Sequence, residues 1–131
     1  GGAVELYHNN SKKFETTSAG GTLTGNLTVS GEIVANSDVT LKENILPITN
    51  PLDIINSIKG VQYNLKDKEK KNINYGFLAQ EMEKVLPSIV HETDSQENLL
   101  GIAYDNIIAI LLEGVKSLSN EVEELKNKIE K

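Results

Sequence analysis

Ser37 and Lys42 are the residues of this sequence whose types and spacing suit covalent chemistry on the chain itself. A serine hydroxyl is a poor nucleophile until a base takes its proton, and a lysine whose ammonium is desolvated can be that base. They bound the stretch Ser37-Asp38-Val39-Thr40-Leu41-Lys42. Residues five apart fall on opposite faces of a strand and do not stack on a helix. The pair meets only if the backbone between them turns, or if the lysine comes from another copy of the chain. Such a site depends on the surrounding fold and, in the second case, on assembly.

Other chemistries have little to build on. There is no cysteine, so no disulfide framework, thiolate nucleophile or Cys-based metal site is expected. His8 and His91 have no second ligand at metal spacing, so neither a metal nor a cofactor is expected. A net charge of −6 argues against a nucleic-acid partner. The run Lys66 to Lys71 mixes signs and reads as a solvated turn. No apolar run reaches the roughly twenty residues that span a bilayer, so no membrane partner is expected. The chain opens Gly-Gly without a methionine and reads as a piece of a longer protein. Its 131 residues allow one domain plus an appendage. A hydrophobic fraction of 38%, with two Phe and no Trp, indicates a thin core that oligomerisation would help to bury.

Residues 1–36, ahead of the pair, are β-like and punctuated by glycine. Val4 to His8 alternates, Asn9-Asn10-Ser11 offers a turn, and Lys12 to Thr17 returns. Short pieces follow at 22–24, 26–30 and 32–34, separated by Gly25 and Gly31. Strands this short cannot bury an apolar face alone. Rungs wound with neighbouring chains would, and an ordinary β-meander is the alternative.

Behind the pair the character changes. Asn50-Pro51-Leu52-Asp53 reads as a helix start with Asn50 as N-cap. Ile54, Ile55 and Ile58 form its apolar stripe, and Gly60 is its stop signal. Val61 to Leu65 and Ile73 to Ala79 read as strands around the charged run, the second broken at Gly76. Gln80 to Leu86 reads as a short amphipathic helix ended by Pro87, with Gln80 and Glu81 expected to cap it. Ser88 to Glu92 and Leu99 to Tyr104 are two further strands around a turn at Asp94 to Asn98.

The last segment carries the clearest periodicity. Ile108, Leu111, Val115, Leu118, Val122, Leu125 and Ile129 step by three and four, a coiled-coil seam over three heptads with Asp105 as N-cap. Gly114 costs about 1 kcal/mol against Ala in a helix interior, yet the seam runs through it. β-branched residues alternating with Leu favour two strands in isolated peptides, whereas the β-region could impose three. The reading is an α+β fold: a β-stalk segment over 1–36, a small domain over 37–104 and a long C-terminal helix over 105–131.

With these residues in place, the chain resembles the intramolecular chaperone domain at the C-terminus of phage endosialidases, tail fibres and tailspikes, the peptidase S74 family. Ser37-Asp38-Val39-Thr40-Leu41-Lys42-Glu43-Asn44-Ile45 is similar to its cleavage motif. Tyr75-Gly76-Phe77-Leu78-Ala79-Gln80-Glu81, continuing to Pro87, is similar to its second signature. The resemblance covers about 37–131, with a fibre-stalk end before it.

The resemblance implies a homotrimer that guides folding of the fibre part of the same polypeptide and then cuts itself off between Asn36 and Ser37. Ser37 would be the nucleophile and Lys42 the general base. Two residues depart from the common pattern. Thr40 stands where many members have Arg, and Asn74, a candidate for transition-state support, stands where many have His. The implied setting is a virion tail fibre assembled in the host cytoplasm. A non-cleaving trimerisation module is the alternative. A Ser-Lys hydrolase of external substrates is disfavoured by the small size and terminal coiled coil.

Overall fold

The computed structural model describes residues 1–66, 69–94 and 96–130, in two compact units, Gly1–Ile45 and Leu46–Lys131. Its class is mixed α and β, with three α-helices, small sheets and a long helix last.

The first unit opens with an antiparallel meander of β1 (Glu5–His8), β2 (Ser11–Thr17) and β3 (Gly20–Leu23). Asn9 and Asn10 join β1 to β2 with φ of 48° and 61°. This two-residue turn with both φ positive matches the strands' twist, and asparagine tolerates it. Leu6 faces Phe14, and Phe14 faces Leu23. Phe14 also lies over Gly21, where a Cβ would come within 2.6 Å of the ring. Residues 26–30 and 32–34, read above as strands, carry no pairing here. Within one chain they have no neighbouring strand to ladder with. The unit continues to a single 3-10 turn at Val39–Leu41.

The second unit begins with α1 (Pro51–Ser57), followed by a hairpin of β4 (Val61–Tyr63) and β5 (Asn74–Gly76). Helix α2 (Ala79–Val85) leads through a 3-10 turn at Pro87–Ile89 to a second hairpin, β6 (Val90–Asp94) and β7 (Leu99–Ile102). Helix α3 (Asn106–Ile129) closes the chain. Met82, Ile89 and Ile107 are buried together, with Ile58, Phe77, Leu86, Val90 and Ile102 packed around them. Met82 is the most enclosed, at 2% exposure. A flexible thioether suits so irregular a junction of helix, turn and hairpin.

Several local expectations need correction. Asn50 sits in the left-handed region and makes no side-chain cap; Pro51 at the first helical position starts α1 without it. The helix ends at Ser57, ahead of Gly60, because Ile58 is extended and turns its side chain to the core. Asp105 also caps nothing, since its backbone is already helical and the turn into α3 closes by main-chain bonds to Ala103 and Tyr104 carbonyls. Gln80 and Glu81 give α2 no side-chain cap. Of the charged run, Asp67 and Lys68 lie outside the described residues, as does Ser95 of the second turn.

The seam residues of α3 are all exposed, from 47% at Leu111 to 82% at Ile129. The helix buries Ile107, Ile110 and Gly114 instead. The seam runs beside this packed face: Leu111, Val115 and Leu118 line the groove between α1 and α3 with Leu52, Ile55 and Gly114, and the seam continues exposed beyond it to Ile129.

Candidate functional site

The backbone between Ser37 and Lys42 does turn, for reasons written in the sequence. Asp38 is the N-cap of the 3-10 turn, and its Oδ1 accepts from the Thr40 N–H at 2.8 Å and from the Thr40 hydroxyl at 2.7 Å. Aspartate is favoured at such positions because its short side chain reaches an amide two or three residues on. The main chain closes behind it: Leu41 N–H donates to Asp38 O and Lys42 N–H to Val39 O, both at 3.1 Å. The two Thr40 donors, the backbone amide first, hold the Asp38 carboxyl below its usual range.

Lys42 leaves this turn extended, at φ −125° and ψ 148°. Its Nζ comes back to Ser37, donating to Oγ at 2.6 Å and to the Ser37 carbonyl at 3.0 Å. The two sequence-selected residues therefore meet within one chain. Both are exposed, as are Val39 and Leu41 between them, at 66% and 67%. A lysine amine and a serine hydroxyl at this distance can exchange a proton in either direction.

Asn74 lies in the second unit on β5, opposite Tyr63, and its amide donates to Asn72 O at 3.0 Å. His8 and His91 are exposed strand residues. Among the described residues no acidic, histidine or cysteine cluster is arranged to hold a metal, and no helix is long and apolar enough to cross a membrane.

The second motif is built into the core of its own unit. Phe77 packs against Tyr104 with ring centroids 5.8 Å apart, and its N–H donates to the Tyr104 hydroxyl at 3.2 Å. That hydroxyl lies where a Cβ on residue 76 would be, only 2.6 Å away, so glycine is required there. Sequence reading gave Gly76 as a strand break and assigned Tyr104 no partner. A lone tyrosine at a strand end carries no signal of what it reaches across 27 positions.

A family model described as "Chaperone of endosialidase" matches residues 37–91, beginning at Ser37 itself. The chain is also similar to three long tail fiber proteins Gp37. Identity is 34% over 98% of this chain for that of Enterobacteria phage K3 and 38% over 74% for that of phage T2. It is 28% over 75% for that of Salmonella phage S16. The chain spans 11%, 8% and 14% of those proteins' lengths, respectively. Through the segment that opens on Ser37 and contains both motifs, this chain belongs to the chaperone-of-endosialidase family, peptidase S74.

Proposed function

We propose that this chain is the chaperone end of a phage tail fibre, which trimerises, guides folding of the fibre ahead of it, and releases itself by cleavage between Asn36 and Ser37. One observation carries the cleavage reading: Lys42 Nζ lies 2.6 Å from Ser37 Oγ inside the family-matched segment. The three tail-fibre relatives support a virion setting; assembly in the host cytoplasm is part of the proposal. In this reading residues 1–36 end the stalk, 37–104 form the chaperone and 105–131 hold three copies together along the exposed seam.

Neutral Lys42 takes the Ser37 Oγ proton, and Oγ attacks the Asn36 carbonyl through a five-membered ring. The Asn36–Ser37 amide bond breaks as the ester bond forms, and the proton held by Lys42 passes to the departing Ser37 nitrogen. Water then hydrolyses the ester, leaving an Asn36 carboxylate and a Ser37 amine. Proximity takes the place of substrate binding, and the nucleophile leaves with the released fragment, so each chain turns over once. The Thr40, Leu41 and Lys42 amides are engaged inside the turn. In this reading stabilisation of the oxyanion comes from backbone amides near Asp38.

The base step needs a neutral amine, and desolvation is the physical route to one. Lys42 is exposed in the single chain, so assembly supplies the cover. The same exposure is the observation that favours the second reading, a trimerisation and folding module whose serine and lysine are idle. Intact denatured masses of freshly made protein, beside Ser37→Ala and Lys42→Ala, separate the two. Fragments dividing at Asn36/Ser37 in the parent and in neither variant support autoproteolysis. A single full-length mass in all three leaves the idle module.

A further inference from the structure

We propose that Asp38 is a positioning residue for the Ser37–Lys42 pair, clamping the turn that brings the lysine back over the serine. The inference rests on the autoproteolytic reading above and adds a residue to it. Five extended residues would carry Lys42 roughly 17 Å along from Ser37, beyond the reach of its side chain. The 3-10 turn removes that separation, and Asp38 holds it twice. Its Oδ1 accepts the Thr40 amide and hydroxyl together, and its backbone carbonyl accepts the Leu41 amide. Thr40 is thereby fixed at both backbone and side chain, and Lys42 follows directly out of the turn with its amide on Val39 O. The turn contains no buried residue. No hydrophobic packing within this unit's own turn replaces the clamp, so the carboxylate oxygen bears the geometry.

What the clamp requires is an acceptor oxygen at Oδ1, with no demand for charge. Asparagine supplies that oxygen and is as good a cap as aspartate; alanine supplies none. The test is a pulse of full-chain synthesis in cell-free translation, with the cleaved fraction followed in time for the parent, Asp38→Asn, Asp38→Ala, Ser37→Ala and Lys42→Ala. Native mass is measured for each as a check on assembly. The expected result is Asp38→Ala slowed about tenfold, the factor that losing a cap corresponds to. Asp38→Asn should stay near the parent rate at the same assembled mass.

Equal slowing in Asp38→Asn and Asp38→Ala overturns the clamp, because charge would then be the requirement. A parent rate in Asp38→Ala, with Ser37→Ala and Lys42→Ala uncleaved, overturns the clamp and leaves the autoproteolytic reading standing. An uncleaved parent overturns both. If Asp38→Ala does not assemble, Thr40→Val decides, since it keeps the side-chain shape and deletes one of the two donors. Slowing of about threefold at full assembly supports the clamp, and the parent rate overturns it.

Discussion

Gly114 offers a sharp test of how α1 packs on α3. A Cβ built there lands on Ile55 Cδ1, while Ile55 Cγ1 and Leu52 Cδ2 would sit at an ordinary 3.7 and 3.8 Å. One methyl group is therefore the whole obstacle. Gly114→Ala gains about 1 kcal/mol of helix propensity and loses about 1–3 kcal/mol to overpacking, a net destabilisation between zero and about 2 kcal/mol. Ile55→Val removes Cδ1 and costs about 0.5–1.5 kcal/mol alone. Once Ile55→Val is in place, the same Gly114→Ala change meets no obstacle and should stabilise by about 1 kcal/mol. The pair should then couple by about 1–3 kcal/mol, read from urea midpoints at one fixed protomer concentration. Additivity within about 0.5 kcal/mol would refute the close approach.

Three further outcomes are expected. Lys42→Arg keeps a cation beside Ser37 but cannot give up its proton at neutral pH, so its denatured mass should stay full-length; efficient cleavage would remove the general-base role. In the uncleaved Ser37→Ala protein, the Asp38 carboxyl should titrate by NMR below the ordinary value of 3.8. Its cap then contributes fully above the ordinary carboxylate pKa and is lost as pH falls through the depressed folded value; a midpoint at or above the ordinary value contradicts the two Thr40 bonds. Val122→Lys places a charge on the exposed seam, beyond the part of α3 that packs on the core. Sedimentation should show self-association weakened by a factor of ten or more, whereas an unchanged assembled mass would exclude the seam as the contact.

Where a pattern is local the sequence revealed it, and where a partner is distant it did not. Pro51, the run before Pro87 and the heptads of α3 each mark a helix within their own few residues, and the asparagine pair marks the first hairpin. The Ser37–Lys42 pairing was legible only as a condition, that the backbone between them turn. The turn itself was written in Asp38 and Thr40, an Asx pattern that spacing arguments about strands and helices pass over. Asn50 and Asp105 have the right side chains for caps, yet their backbones adopt left-handed and helical conformations that carry those side chains off target. Gly114 looked like a cost because its compensation, the close fit of Ile55, comes from 59 positions away.

The described residues bury four hydrophobic side chains, Met82, Ile89, Ile107 and Ile110, all in the second unit. Meanwhile Leu27, Ile33, Val39, Leu41 and the whole α3 seam stay in contact with water. Full burial of each such side chain is worth about 1.5–3 kcal/mol, so a surface this apolar favours association of copies over the isolated chain. Val39 and Leu41 belong to the turn that carries Lys42. Whatever covers them also takes water away from the lysine. On the autoproteolytic reading proposed above, the free energy of covering apolar surface and the desolvation a lysine base requires would arise from one event, which would couple cleavage to completed assembly without a separate trigger.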